Sequence, residues 1–385
     1  MQKYMLKMPQ TIYGGAQATQ QLKQIAEMLN VKKAAIFTDQ HIVAAGLTKS
    51  AESALDDSGV EVKLFDKVPA EPAYAQVQEM IDSFRSFKAE LIVAVGGGSV
   101  MDTAKLASVL AFNEYTVKDL LDNPQYGQKT VKTVMIPTTA GTGAEATPNA
   151  IVAVPEKALK VGIVNDEMIA DYVILDPEMI RRLPAKIAAS TGADALCHAI
   201  ECFTSKKANP FSDLFALQAL DKILKNLYNA WSNPEAMDAR EAMLTASFYA
   251  GVAITASGTT AVHALSYPLG GKYHIAHGVA NAILLLPVLR FNAPACIERL
   301  AEAYMHIFPE QSVGLSTQQC ADKLIDTIDA LMKEIEIPQN LKSFGIGNDD
   351  LDGLVNAGME VTRLLNNNPR KVNEDDAREL YLAVM

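Results

Sequence analysis

The chain has 385 residues, 49% hydrophobic and 21% charged, with a formal net charge of −11. That length exceeds one ordinary core and predicts two domains, and the composition is that of a folded protein. The negative balance argues against a nucleic-acid partner, because neutralising phosphates needs clustered Lys and Arg, and against docking on an anionic membrane. The start, MQKYMLKMPQTIYGG, has no long apolar run with a cleavage site, so no signal peptide is expected. No run of about eighteen apolar residues predicts a membrane span. Four cysteines (Cys197, Cys202, Cys296, Cys320) lack the spacing of a metal knuckle or secreted scaffold. They read as reduced, buried thiols of a cytoplasmic protein.

In chain order, AAIFTD (34–39), EVKLFD (61–66), ELIVAVGGG (90–98), TVMIPTT (133–139) and DYVILDP (171–177) are strand candidates, with helical spacing at 17–30 and near 75–88. Near-continuous apolar strands alternating with helices predict a Rossmann-like parallel sheet covered on both faces. Beyond DPEMIRRLPA the pattern becomes Ala- and Leu-rich at helical period without strand runs. The expected organisation is an α/β N-terminal domain over 1–180 and an all-helical C-terminal domain over 181–385.

Within the first half, ELIVAVGGGSVMDTAK reads as a buried strand, a glycine turn and a helix start, after the third strand candidate. Gly96, Gly97 and Gly98 let the backbone approach a ligand, and the helix N-terminus offers free N–H groups to phosphate. Ser99 is a candidate N-cap, with Asp102 in the first turn. Glycines used for turn geometry alone are the competing reading. A second glycine-rich turn, MIPTTAGTGAEAT, also follows a strand and brings the hydroxyls of Thr138, Thr139 and Thr142. Two such turns suit a ligand laid across the carboxyl edge of a sheet. Asp39 ends its strand, where a carboxylate accepts from a ribose 2′-OH and repels a 2′-phosphate, favouring NAD over NADP; a plain loop-starting Asp fits equally. Asn149 follows the second turn, either reaching the cofactor and substrate pocket or serving as a turn residue after Pro148.

The second half offers metal ligands. Asp194 and His198 are four apart in TGADALCHAIECF and share a helix face, as a ligand pair or as a helix salt bridge. AVHALSYPLGG reads as a helix end, broken by Pro268 and stopped by Gly270 and Gly271. His277 then precedes a long apolar helix. Such a helix end and helix start can aim His263 and His277 at one place. One carboxylate and three imidazoles with an open position suit Fe(II) or Zn(II) more than Mg²⁺.

In order along nearly the whole chain, GGGSxxDxAK, PTTAGTG, DALxHAIE and HALxxPLGG…HGxANAxLLP resemble the iron-containing (group III) alcohol dehydrogenases. The late NNPRK resembles the lactaldehyde reductase/1,2-propanediol oxidoreductase branch. The resemblance implies the dehydroquinate-synthase-like fold, with an active site in the cleft between two domains. It implies NAD and Fe²⁺ (Zn²⁺ also suited) as cofactors, and hydride transfer between nicotinamide and a small alcohol or aldehyde. By position it implies Asp194, His198, His263 and His277 as metal ligands. It likewise implies a cofactor set of Asp39, Gly96–Ser99, Asp102, Thr138, Thr139, Thr142 and Lys160, and a homodimer or larger homo-oligomer.

Three positions depart from the pattern. Tyr267 stands where many members carry a proton-relay histidine, Ala276 where a proline often precedes the last ligand, and Ala144 where serine often follows GTG. Tyr267 and His274 are the remaining candidates for the proton path. Two rival readings are a glycerol(-phosphate) dehydrogenase or dehydroquinate-synthase-like enzyme of the same fold, and a non-catalytic NAD- and metal-binding protein. The first calls for a basic cluster near the metal helices, and Lys272 with the pair Lys206–Lys207 makes no clear one.

Overall fold

All five runs of the first half become strands; the central ones are apolar on both faces and find helices to cover both, while EVKLF, at the sheet edge, exposes Glu61 and Lys63. The computed structural model describes residues 3–157 and 159–385. The strands are β1 (Thr11–Gly14), β2 (Lys33–Phe37), β3 (Glu61–Phe65), β4 (Leu91–Gly96), β5 (Lys132–Pro137), β6 (Asn149–Val154), β7 (Leu159–Val164) and β8 (Tyr172–Leu175). Between them lie α1 (Gln21–Met28), α2 (Gln40–Ala44), α3 (Lys49–Asp56), α4 (Tyr74–Phe87), α5 (Gly98–Leu110) and α6 (Val117–Asp122). The main sheet is parallel throughout, in the order β1-β8-β5-β4-β2-β3. Two pieces were not read from sequence: the short edge strand β1 and the antiparallel hairpin β6–β7. With β1 counted, the glycine turn follows the fourth strand, not the third.

Side-chain alternation sorts the two faces of the sheet. Ala34, Ile36, Leu91, Val93, Val95, Val134, Ile136 and Ile174 pack with Leu22, Ile25 and Leu55 of α1 and α3. On the other face, Phe37 stacks on Phe65 and tilts against Phe84 of α4, with ring centroids 5.1 and 5.5 Å apart. β4 is buried along its whole length. The carboxyl ends of β2, β4 and β5 therefore open into adjacent loops at one edge, the usual ligand edge of such sheets.

The chain divides into two units, Lys7–Leu183 and Pro184–Met385, and the second also takes in the N-terminal residues up to Leu6. There Tyr4 sets its ring edge-on to Phe211, 5.4 Å between centroids. The second unit holds α7 (Ala185–Thr204), α8 (Pro210–Ser232), α9 (Met237–Ser257), α10 (Ala261–Tyr273), α11 (His277–Ile307), α12 (Thr317–Glu334), α13 (Leu351–Met359), α14 (Thr362–Leu365) and α15 (Glu374–Leu382). Its described residues form no strand. α11 is long and apolar enough to cross a membrane by length and composition, but most of that stretch is buried inside the unit.

The end expected at Pro268 is not a break. α10 runs through Pro268, Gly270 and Gly271 and stops at His274, whose left-handed φ of 55° caps it. Proline removes one N–H and crowds the preceding turn, but the helix is buried along most of its length, and tertiary packing outweighs local propensity. Two glycines show how closely α7 is packed. A Cβ on Gly278 would lie 2.0 Å from the Ser190 carbonyl oxygen, so the first turn of α11 rests on the α7 backbone. A Cβ on Gly192 would meet only the tip of the Leu227 side chain, at 2.2 Å.

Backbone cannot swing aside as a leucine tip can, so Gly278→Ala is expected to destabilise by about 1–3 kcal/mol or more and Gly192→Ala by less. Thermal or denaturant unfolding of the two variants checks the order, and equal losses would contradict this packing.

Candidate metal centre and dinucleotide-binding edge

α7 lines up three acidic or imidazole side chains on one face: Asp194, His198 and Glu201 follow one another at helical spacing. His263 comes from the first turn of α10 and His277 is the first residue of α11. One ligand atom from each of Asp194, His198, His263 and His277 lies within 4.8 Å of the others. Asp194 Oδ1 is 3.8 Å from His198 Nε2, 3.8 Å from His263 Nε2 and 3.7 Å from His277 Nε2. The His198 and His263 rings stack at 4.6 Å, and His277 meets His263 edge-on at 5.3 Å. Four donors around an ion at ordinary Zn–N and Zn–O lengths sit about 3.4 Å apart in a tetrahedron. The three Asp194–histidine distances are a few tenths of an ångström wider and the whole set stays within 4.8 Å, so its nitrogen–oxygen chemistry and convergence fit a divalent iron or zinc ion.

Glu201 was not picked out from sequence, although the spacing of Asp194, His198 and Glu201 was there to be read. Its Oε2 pairs with His263 Nδ1, and its Oε1 accepts from Thr260 Oγ1 at 2.5 Å and from the Val262 N–H at 2.8 Å. The pairing puts the His263 proton on Nδ1 and leaves the Nε2 lone pair facing Asp194. Burial alone would lower the His263 pKa, but Glu201, by charge and hydrogen bond, and Asp194 raise it above the usual range. Burial likewise pushes Asp194 up, yet the three imidazoles and Asn281 hold it below the usual carboxylate range.

The segment NNPRK anchors this site from outside. Asn367 Nδ2 donates to the Thr259 carbonyl at 3.0 Å, and Asn368 exchanges hydrogen bonds with Asn292 of α11 at 2.7 and 2.9 Å. The helices carrying His263 and His277 are thereby tied to one strap. Tyr267, one turn after His263, brings its ring to 6.1 Å from that of His277. His274 closes α10 as its left-handed cap.

In the α/β unit the two glycine-rich turns face each other. A Cβ on Gly98 would stand 3.0 Å from Thr142 Cγ2, and one on Gly97 3.5 Å from Thr139. The Thr138 N–H donates to the Gly96 carbonyl at 3.0 Å, while the hydroxyls of Thr38 and Thr138 are buried without a partner. Close glycine backbones, a helix N-terminus and orphaned hydroxyls at the carboxyl edge of β2, β4 and β5 are what a dinucleotide requires. Asp39 caps α2: its Oδ1 accepts from the N–H groups of His41 at 2.8 Å and Ile42 at 2.9 Å.

Two predicted residues, Ser99 and Asp102, sit otherwise than expected. Gly97, not Ser99, is the N-cap of α5, and Ser99 Oγ instead accepts from the Glu71 N–H at 3.0 Å. Because α5 starts at Gly98, Asp102 lies beyond the first turn and is buried. Its Oδ2 accepts from the Ile151 N–H at 2.9 Å and its Oδ1 from Lys105 at 3.2 Å, so it ties β6 to α5. Asn149 opens β6, and its carbonyl accepts from Lys105 Nζ at 2.7 Å. Lys160, on β7, pairs with Glu71 at 2.6 Å.

The structure also buries a charge cluster beneath the glycine turns. Lys105, Asp102 and Glu145 are all inaccessible, and Glu145 Oε1 has no hydrogen-bond partner. Burial lowers the Lys105 pKa, raises that of Asp102, and lifts Glu145 to about 7. GGGSxxDxAK includes Asp102 and Lys105, and Glu145 stands two residues after PTTAGTG, but spacing alone does not reveal that the three carry charge into one interior.

Residues 9–177 match the family described as iron-containing alcohol dehydrogenase, and residues 188–385 match the C-terminal region of the Fe-containing alcohol dehydrogenase family. The chain belongs to the iron-containing alcohol dehydrogenases. It is 34% identical to a 1,3-propanediol dehydrogenase of Klebsiella pneumoniae over 97% of this chain and 96% of that one. It is 32% identical to an NAD-dependent methanol dehydrogenase of Bacillus methanolicus over 95% and 96%. A crystal structure of 1,3-propanediol oxidoreductase superposes with a TM-score of 0.93 at 32% identity, covering all of both chains.

Glu145 gives a pH signature. Its pKa rises from 4.5 to about 7 on folding, so its contribution to stability is complete below pH 4.5 and lost as pH rises through 7. Glu145→Gln is therefore expected to gain up to about 3 kcal/mol on the wild type at pH 8 and little at pH 4.5. Urea unfolding at the two pH values measures it; a gain independent of pH would exclude a buried ionisation.

Proposed function

We propose that the chain interconverts small primary alcohols, diols among them, and their aldehydes with NAD, using a divalent iron ion held by Asp194, His198, His263 and His277; zinc suits the same ligands. The convergence of one carboxylate and three imidazoles within 4.8 Å carries the reading. The named activities of its relatives, methanol and 1,3-propanediol dehydrogenases, support the substrate class.

The bound ion supplies Lewis acidity toward the substrate oxygen, and the nicotinamide supplies or accepts the hydride. The protein's own residues orient and restrain. Glu201 fixes the His263 tautomer through Nδ1. Thr38, Thr138 and the N-terminus of α5 offer donors to the dinucleotide, and Asp39 opposes a 2′-phosphate, which supports NAD over NADP. Tyr267, His274 and solvent water are the routes open to the proton of the alcohol.

The same reading takes the chain as a cytoplasmic homodimer or larger homo-oligomer acting on free small molecules. Its four buried, unpaired cysteines support a reducing compartment. The rival binding-protein reading predicts metal and NAD uptake without turnover.

Protein purified anaerobically and assayed on a panel of simple alcohols, vicinal diols and aldehydes with NAD and NADP should turn over with NAD, and His263→Ala should lose metal and activity together. Retained metal and activity in that variant would remove the site assignment. Tyr267→His should add an ionisation near about 6.5 to the pH profile of kcat/KM; an unchanged profile would mean that this position carries no proton.

A further inference from the structure

We propose that Asn281 is a positioning residue of the metal centre, holding Asp194, His263 and His277 in converged orientation through its side-chain amide. The proposal rests on the reading that these side chains bind a divalent ion.

Asn281 lies one turn after His277 on α11 and is completely buried. Its Nδ2 is 2.7 Å from Asp194 Oδ1, 3.1 Å from His263 Nε2 and 3.2 Å from His277 Nε2. One amide nitrogen thus faces three of the four ligand atoms, one from each of the three helices that build the site. An amide carries two N–H bonds, so it serves two of these acceptors at a time. With an ion bound, the imidazole lone pairs turn to the ion and the amide keeps Asp194.

The other end of the side chain shows that packing does not explain it. Asn281 Oδ1 is buried with no hydrogen-bond partner. A buried carbonyl left without a donor destabilises, whereas leucine has nearly the same shape and carries no such penalty. Turning the amide over would set an oxygen against three acceptors, which is worse still in the absence of a cation. An amide kept with one end unsatisfied is a local conflict of the kind that marks functional sites. The donor end is what the site uses: it fixes which oxygen Asp194 presents and stops the two imidazoles from rotating apart. Groups that hydrogen-bond to metal ligands and orient them typically change metal affinity by about 10–100-fold when removed.

The test compares the wild-type full chain with Asn281→Leu and Asn281→Ala after removal of metal and titration with Co²⁺ against a chromophoric chelator. Each variant is expected to bind Co²⁺ about 10–100-fold more weakly, with shifted d–d bands as Asp194 and the imidazoles loosen. Circular dichroism and NADH fluorescence titration, which report folding and the α/β unit, should stay unchanged. If the leucine variant does not fold, the alanine variant is read in the same way. Wild-type affinity and an unshifted Co²⁺ spectrum in a folded variant would overturn the proposal. Wild-type protein that takes up no Co²⁺ would instead remove the metal reading beneath it.

Discussion

Lone pairs aimed at one point repel one another unless positive charge or a donor hydrogen sits among them. The helical unit accepts that repulsion at its centre. A carboxylate that is 2% exposed is set beside three imidazole nitrogens, with the Asn281 amide donating among them. No one element can bring such a set together. α7 contributes two ligands from one face and α10 and α11 one each, and close backbone packing together with hydrogen bonds outside the ligand set docks the three helices. The bare α-carbon of Gly278 lets α11 reach the α7 backbone. Asn367 and Asn368 strap the start of α10 to α11.

The α/β unit solves a different problem, presenting donors to an anionic ligand within an acidic protein. It works locally, with backbone N–H groups at the start of α5 and hydroxyls left without partners, so the net charge of the chain matters little. Beneath those turns, Lys105 is drawn inside to meet Asp102, Thr147 and the carbonyl of Asn149, and so links the glycine helix to the hairpin that bears Lys160. A buried lysine shared in this way gives rigidity to a loop region whose glycines supply none. Glu145, in the same interior, has only part of its charge compensated.

The sequence disclosed what repeats at short range. Strand runs, the two glycine turns, and the pairing of Asp194 with His198 were legible because each is a local pattern. Legibility failed where packing overrules propensity. Pro268 and two glycines predict a helix end, yet α10 continues to Tyr273 because its buried faces hold it. The hairpin β6–β7 was missed because no tight two-residue turn announces it. Ser99 looked like a cap because its side chain is right for one, but the glycine before α5 takes that place. Glu201 and Asn281 stand at helical spacing from predicted ligands, in plain view. Their importance lies in partners on other helices, and spacing within one helix does not disclose those.

The N-terminal residues through Leu6 belong with the helical unit, so the α/β unit is inserted, in sequence, between two pieces of its neighbour. A ribosome delivering this chain releases the complete α/β unit first, and such units fold as they emerge. Tyr4 must then wait for Phe211, and the start of the His263 helix for the strap at Asn368. The residues that complete the metal centre, from Asp194 to His277 with the strap at Asn367 and Asn368, thus all follow the α/β unit in translation. A truncated or stalled chain would hold a folded dinucleotide unit and no competent metal site.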